Sequence, residues 1–193
     1  MSGKGKSLVR TTKETRVEVR FDPAGGPVRV STGLGFLDHM LSAWAFHGGF
    51  GLDLTARGDL AVDAHHTVED TALALGEAVD LALGSREGIA RFGWALVPLD
   101  EALSRAAVDL CRRPYAVFSA PALPERIGDF PSEMAPHLFR SLASAGRFTL
   151  HVEVLRAENG HHALESAFKA VALAMAQAIR PAQRGPRSTK GVL

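Results

Sequence analysis

Two hydrophobic patterns recur along the 193 residues of the chain. Apolar and polar residues alternate in short stretches, which predicts strands with one buried face. Longer runs rich in Ala and Leu have the spacing of amphipathic helices. The predicted strands are 17–21, 50–56, 108–110 and 148–154, and the predicted helices are 37–46, 65–83, 135–144 and 161–179.

Glycine and proline mark the ends of these helices. Gly48 and Gly146 follow the two short helices, in agreement with glycine's role as a helix stop. Pro181 ends the last helix because its ring cannot continue the backbone hydrogen bonds. The segment 120–136 contains Pro121, Pro124, Pro131 and Pro136 and is predicted to be a loop.

The chain contains an internal repeat. When 37–79 is set beside 135–179, the equivalent pairs are His39 with His137, Phe50 with Phe148, His65-His66 with His161-His162, and Glu69 with Glu165. The order of elements predicts an α+β fold with internal duplication, in which two similar halves each form a small, mostly antiparallel sheet with helices on one face. We expect a single functional unit, 1–193, made of repeats at about 8–92 and 93–185 plus a tail, 186–193.

Composition narrows the class of protein. The chain is 46% hydrophobic and 22% charged, the balance of a folded globular protein rather than a disordered one. A net charge of +1 gives no reason to expect a nucleic-acid partner or an anionic membrane surface. With Cys111 as the only cysteine and no long apolar segment, we expect a soluble cytoplasmic protein without an intrachain disulfide.

The histidines are the strongest chemical signal. Six of the eight occupy repeat-matched positions, and each predicted long helix opens with the motif His-His-x-x-Glu. Imidazole and carboxylate groups on one helix face are typical metal ligands. Adjacent helical residues point about 100° apart, so each His-His pair should serve two different ions. The donors fit Mn, Fe, Co, Ni or Zn, and the choice among them stays open.

Other familiar catalytic motifs are absent from the sequence. It contains no H-E-x-x-H or H-x-x-E-H zinc motif and no G-x-S-x-G nucleophile elbow. It also lacks a phosphate-binding P-loop and a dinucleotide fingerprint. Metal-dependent chemistry is therefore the leading hypothesis.

Ordered motifs along nearly the whole chain resemble the imidazoleglycerol-phosphate dehydratase family. They are TKET (12–15), GFLDHML (35–41), HHTVEDTALALGEA (65–78), RFG (91–93), VPLDEAL (97–103), VDLCRRPY (108–115), HHALESAFKA (161–170) and STKG (188–191). The resemblance implies a ribosomal protein S5 domain 2-like fold and a lyase of histidine biosynthesis that forms imidazole acetol phosphate. It also implies two Mn²⁺ ions per active site and a homo-oligomer, a 24-mer built from trimers with sites shared between subunits.

The resemblance also implies roles for individual residues. The implied metal ligands are His39, His65, His66, Glu69, His137, His161, His162 and Glu165. The implied phosphate-binding residues are Arg91, Arg113, Ser188, Thr189 and Lys190, with Glu14 and His47 near the substrate. Glu14, Glu165 and His39 are the expected catalytic residues.

A mechanism follows as a hypothesis. The proton to be removed lies on a carbon without an adjacent carbonyl, so a base alone is insufficient. An imidazolate form of the substrate ring would expel the neighbouring hydroxyl, with metal acting as Lewis acid. Either Glu14 or Glu165 would take the carbon proton.

Three features of the sequence depart from the family pattern. Ala43 stands where the family commonly has Gln, and Cys111-Arg112 replaces Ser-Gly beside Arg113. The turn at 22–27 also differs. These departures affect the expected substrate contacts and leave the expected metal ligands intact.

Two other functions fit the same ligands. A metal-dependent hydrolase acting on a phosphorylated small molecule would consume water rather than release it. A metal-storing or structural protein would use the ions to hold subunits together, but it has no need of Arg91, Arg113 or the STKG tail.

Overall fold

The computed structural model describes residues 5–182, in which two halves have the same order of elements except for one extra hairpin in the second. The first half contains β1 (Lys6–Thr11), β2 (Arg16–Asp22), β3 (Val28–Ser31), α1 (Gly35–Gly48), β4 (Gly51–Arg57) and α2 (His65–Leu83). The second contains β5 (Phe92–Leu99), β6 (Ala102–Asp109), β7 (Tyr115–Ser119), the short strands β8 (Arg126–Ile127) and β9 (Phe130–Pro131), α3 (Met134–Gly146), β10 (Thr149–Arg156) and α4 (Gly160–Ile179).

The two sheets are built alike. Their strand orders are β1-β2-β4-β3 and β5-β6-β10-β7. In each sheet the last pair is parallel, β3 with β4 and β7 with β10, and the other pairs are antiparallel. The predicted duplication and the mostly antiparallel sheets are confirmed.

The alternating pattern of β2 decides which face of the first sheet is covered. Val17, Val19 and Phe21 are buried, whereas the polar residues between them are exposed. The helices lie on the buried faces, α2 against β1 and β2, and α4 against β5 and β6. Burying a large apolar side chain contributes about 1.5–3 kcal/mol, so these faces dominate the stability of each half.

Helices also pack across the two halves. Helix α1 contacts α4, and α2 contacts α3. The α2–α3 contact is close at Gly76, where a Cβ atom, if present, would lie 2.5 Å from the carbonyl oxygen of Leu142. The halves therefore share one helical layer, and each short helix lies beside the long helix of the other half.

The predicted loop at 120–136 was wrong in part. It contains the hairpin β8–β9, in which Ile127 and Phe130 are buried, and α3 begins before it ends. The hairpin turn also has a structural task, because the carboxylate of Asp129 accepts hydrogen bonds from the backbone N–H groups of Gly35 and Phe36. The first turn of α1 is thus capped from the opposite half.

The ends of the two long helices agree closely with those predicted from the sequence. Helix α2 begins at His65 and ends at Leu83, and α4 ends at Ile179 as expected. Among the described residues, the helices are too short or too polar to cross a bilayer.

Candidate metal centre

The first candidate cluster lies between α1 and α4. His39 comes from α1, and His161 and Glu165 come from α4. The Nε2 atoms of His39 and His161 lie 3.4 and 3.1 Å from Glu165 Oε2. His161 and Glu165 share a helix face because four residues make roughly one turn.

The second cluster lies between α2 and α3. His65 and Glu69 come from α2, and His137 comes from α3. His137 Nε2 lies 3.2 Å from Glu69 Oε1, and the rings of His65 and His137 are 4.8 Å apart. Nε2 of His137 is buried, and among the described residues no contact to it has the geometry of a hydrogen bond, so this nitrogen faces the Glu69 carboxylate without being satisfied by it.

Both clusters therefore cross the two halves. Each short helix gives one imidazole, and the long helix of the other half gives an imidazole and a carboxylate. The sequence predicted the residue types but not this crossed pairing, which follows from the packing of α1 on α4 and α3 on α2.

The second histidine of each pair faces elsewhere. The rings of His65 and His66 meet at 81°, and those of His161 and His162 at 83°. His66 Nδ1 lies 2.9 Å from Asp59 Oδ2, and His162 Nδ1 lies 2.9 Å from Glu101 Oε2. Each pair thus places its two imidazoles in different surroundings, as the helix geometry requires.

These hydrogen bonds raise the pKa of both histidines. The Asp59 carboxylate raises the pKa of His66, and the Glu101 carboxylate raises the pKa of His162. In return, the hydrogen bond from His162 lowers the pKa of Glu101 to about 2. A third group of potential ligand atoms consists of Asp100, Glu101 and His162.

A lysine distinguishes the α1–α4 cluster. Lys169 Nζ lies 2.7 Å from Glu165 Oε1, and both side chains are largely buried. Desolvation acts to raise the pKa of Glu165, but the hydrogen bond and charge of Lys169 outweigh it and hold that pKa below its usual value. Burial, followed by the charge of Lys169, lowers the pKa of His47. Sequence reasoning missed Lys169, whose only signal is its place in the HHALESAFKA string.

Glu14 lies in the turn between β1 and β2, close enough to His66 for its charge to act on that imidazole. The turn is fixed to α2 by Asp70, which accepts hydrogen bonds from Thr15 Oγ1 and from Arg10 Nε at 2.8 Å. Thr12 Oγ1 accepts from the backbone N–H of Glu14 at 3.2 Å. The expected substrate residue Glu14 is therefore exposed on a turn that is itself anchored.

The two expected phosphate-binding arginines lie together. Arg91 donates to both carboxylate oxygens of Asp109, at 2.6 and 3.0 Å, and Arg113 Nη2 lies 3.6 Å from the same carboxylate. Desolvation acts to raise the pKa of Asp109, but the hydrogen bonds from Arg91 outweigh it and lower that pKa. Ser188, Thr189 and Lys190 lie outside the described residues.

Within one chain, Arg91 is far from the α1–α4 cluster. The backbone N–H of Arg91 donates to Ala178 O near the end of α4. Glu165 is thirteen residues earlier on that helix, which corresponds to roughly 20 Å along the axis. One chain therefore places Glu14 near the start of α2 and leaves the backbone of Arg91 at the far end of α4 from Glu165.

The donor sets fit a metal ion. Within each cluster the ligand atoms lie within 4.8 Å of one another. Two imidazoles and one carboxylate form a mixed nitrogen and oxygen set that suits first-row transition metals. The fold and these clusters define the class of the protein. It is a duplicated α+β protein with two candidate metal-binding clusters of the kind found in metal-dependent enzymes.

The sequence matches a known protein family over most of its length. The sequence model of imidazoleglycerol-phosphate dehydratase matches residues 32–175, which include both His-His-x-x-Glu motifs. The chain belongs to the imidazoleglycerol-phosphate dehydratase family.

Individual relatives agree with this assignment. The chain is 49% identical to the imidazoleglycerol-phosphate dehydratase of Lacticaseibacillus casei, over 97% of this chain and 98% of that protein. It is 48% identical to the histidine biosynthesis bifunctional protein HisB of Stenotrophomonas maltophilia, over 95% of this chain and 51% of that longer protein. The crystal structure of the Pyrococcus furiosus enzyme superposes with a TM-score of 0.84 at 37% identity, covering 96% of this chain and all of that one.

Proposed function

We propose that this chain dehydrates D-erythro-imidazole glycerol phosphate to imidazole acetol phosphate in histidine biosynthesis. Family membership makes the chain a hydro-lyase, and the names of its relatives support both the substrate and the pathway. The observation that carries the proposal is the pair of crossed clusters, His39 with His161 and Glu165, and His137 with His65 and Glu69.

Two Mn²⁺ ions per active site form the finer part of the proposal. The clusters supply three donors each, and His66 and His162 supply further imidazoles that face away from them. Bound ions provide Lewis acidity that stabilises the departing hydroxyl and the electron-rich substrate ring. Absence of thiolate donors from both clusters is consistent with manganese.

The side chains of this protein have the remaining tasks. Glu14 is placed on an exposed turn and can accept the proton from the substrate carbon while the ring is in its imidazolate form. Glu165 is held by Lys169 and is thereby fixed as a ligand. His47 lies near that pair and would contact the substrate, and His39 would orient the substrate from the cluster.

The active site is proposed to be shared between copies of the chain. Arg91 and Arg113 would hold the phosphate, together with Ser188, Thr189 and Lys190. Because the arginines lie roughly 20 Å along α4 from Glu165, a second copy must supply them to the site that contains the metal cluster.

An exposed apolar surface supports assembly. Trp94, Leu96 and Tyr115 on the outer face of the second sheet are 70, 54 and 65% exposed, whereas the outer face of β2 in the first sheet is charged. These exposed apolar side chains share the face with Arg105, His151 and Glu153, and such a mixture of apolar and polar groups suits an interaction surface. We propose a homo-oligomer, a 24-mer built from trimers, that works in the cytoplasm without nucleic-acid or membrane partners.

The test begins with chelator-treated protein and imidazole glycerol phosphate. We expect ketone formation to be lost after chelation and restored by added Mn²⁺. A hydrolase would instead release inorganic phosphate, and a structural metal protein would assemble with Mn²⁺ but form neither product. Either of those results would refute the proposed reaction.

A further inference from the structure

The second histidine of each pair is held by a carboxylate that belongs to neither crossed cluster. Asp59 precedes α2 in the chain and accepts from His66, and Glu101 lies in the β5–β6 turn and accepts from His162. The two contacts have the same geometry, Nδ1 to a carboxylate oxygen at 2.9 Å. They arise from different places in the two halves, so the same arrangement is reached by two separate routes.

We propose that Asp59 and Glu101 are positioning residues that fix the rings of His66 and His162 as metal donors. This inference rests on the proposed function, in which both histidines bind metal ions in the assembled enzyme. A carboxylate on one ring nitrogen fixes the tautomer and the ring orientation, and it makes the other nitrogen a better donor. In both residues the nitrogen that remains for a metal ion is Nε2.

The surroundings of the two carboxylates support a positioning role. Asp59 Oδ2 is used by His66, and its Oδ1 is buried without a hydrogen-bond partner among the described residues. Glu101 Oε2 is used by His162, and its Oε1 accepts from the backbone N–H groups of Glu158 and Asn159 at 3.2 and 2.9 Å. Asn159 in turn caps α4 at His161 and His162. Glu101 therefore fixes both the ring and the start of its helix.

Binding of Mn²⁺ to chelator-treated protein tests the inference without using turnover. Free Mn²⁺ is measured by its electron paramagnetic resonance signal during titration of wild type, Asp59→Asn and Glu101→Gln. Both changes keep the side-chain size and remove the charge. We expect each variant to bind Mn²⁺ about 10–100-fold more weakly, the usual cost of losing a partner behind a metal-bound histidine.

Two matched controls separate ring orientation from general damage. Asp63→Asn changes a carboxylate near Asp59 that accepts from the backbone N–H of His65 rather than from an imidazole. Glu158→Gln changes an exposed carboxylate beside Glu101. Both controls should bind Mn²⁺ as wild type does, and melting temperature and particle size should match wild type in all four variants.

Each possible result either supports or overturns the positioning role of Asp59 and Glu101. Unchanged Mn²⁺ affinity in Asp59→Asn and Glu101→Gln would overturn the inference, as would an equal loss in the controls. If either variant fails to fold, Asp59→Glu or Glu101→Asp replaces it; each moves the carboxylate by one methylene from its position at Nδ1, and weaker Mn²⁺ binding than wild type is again expected, while unchanged binding would overturn the inference. A wild type that binds Mn²⁺ but forms no ketone would refute the proposed reaction alone. A wild type that binds no Mn²⁺ would overturn both.

Discussion

The turns between the first two strands of each half occupy equivalent positions but present their carboxylates differently. The β5–β6 turn comprises only residues 100–101, and the carboxylate of Glu101 accepts a hydrogen bond from His162. The β1–β2 turn is 12–15, and its longer loop leaves Glu14 exposed while Asp59 holds His66. The two halves thus share one framework but differ in the length of this turn. The short turn holds the Glu101 carboxylate against a histidine, whereas the longer turn leaves the Glu14 carboxylate available to a substrate.

The largest expected effect comes from breaking either cluster. His39→Ala and His137→Ala each remove one imidazole from equivalent positions in the two halves. We expect kcat to fall at least about 1000-fold in both, because a bound ion contributes several kcal/mol of transition-state stabilisation. Bound manganese per chain, measured after dialysis, should fall from two to about one. Near-normal turnover in either variant would mean that its cluster is not catalytic.

Glu14→Gln tests the exposed turn. If Glu14 takes the carbon proton, kcat should fall about 100- to 10,000-fold, the range for loss of a general base. Manganese content should not change, since Glu14 lies in neither cluster. Glu18→Gln, on the exposed face of β2, serves as the control and should retain full turnover. Equal rates in wild type and Glu14→Gln would leave Glu165 as the candidate base.

The two cross-half helix contacts can be compared at equivalent positions. Gly76 of α2 meets the backbone of α3 closely, whereas its counterpart in α4 is Ala172. Gly76→Ala should destabilise the protein by about 1–3 kcal/mol through overpacking. Ala172→Gly should cost about 2 kcal/mol, through lower helix propensity and the loss of a buried methyl group rather than through overpacking. Denaturant titration would measure both, and a stabilised Gly76→Ala would contradict the close α2–α3 contact.

A smaller effect is expected at the arginine pair. Asp109→Asn should raise the KM about tenfold, equivalent to the roughly 1.5 kcal/mol of one charge-assisted hydrogen bond, because Arg91 loses its bidentate partner. Asp22 occupies the equivalent strand position in the first half, where it accepts from backbone N–H groups and has only a 3.9 Å ion pair with Arg20. Asp22→Asn should therefore leave the KM unchanged, and equal effects would argue against a phosphate site at Arg91.

The ion pair between Arg91 and Asp109 predicts that the stability of the folded protein depends on pH. The pKa of Asp109 is lowered in the folded protein. The stability that its charge contributes is therefore present above the unfolded value of about 4 and is lost as the pH falls through the lower folded value. The difference in melting temperature between wild type and Asp109→Asn should vanish in that acid range. A difference that stays constant throughout that range would contradict this assignment.

Local features of the fold were predictable from the sequence. The bounds of α2 and α4 could be predicted because hydrophobic periodicity and helix-end signals depend only on residues that are close in sequence. The repeat identified the histidines and glutamates of the clusters because it compares the chain with itself. Motif resemblance supplied Glu14, Arg91 and Arg113.

Contacts between distant parts of the chain were not predictable in this way. The cap that Asp129 gives α1, the carboxylates of Asp59 and Glu101, and the pairing of α1 with α4 depend on tertiary packing. Lys169 lies within a family motif, but periodicity alone predicts a solvent-facing charge there. No spacing rule links such residues to the histidines that they serve.

The crossed clusters have an evolutionary consequence. A chain of half this length, carrying one short helix and one His-His-x-x-Glu helix, has one imidazole on the first and the remaining donors on the second. Because the described structure packs each short helix on the long helix of the other half, such an ancestor would have held its metals between two copies, as a twofold-symmetric dimer. Fusion of two such copies into one chain would have let each half change its turns and side chains independently.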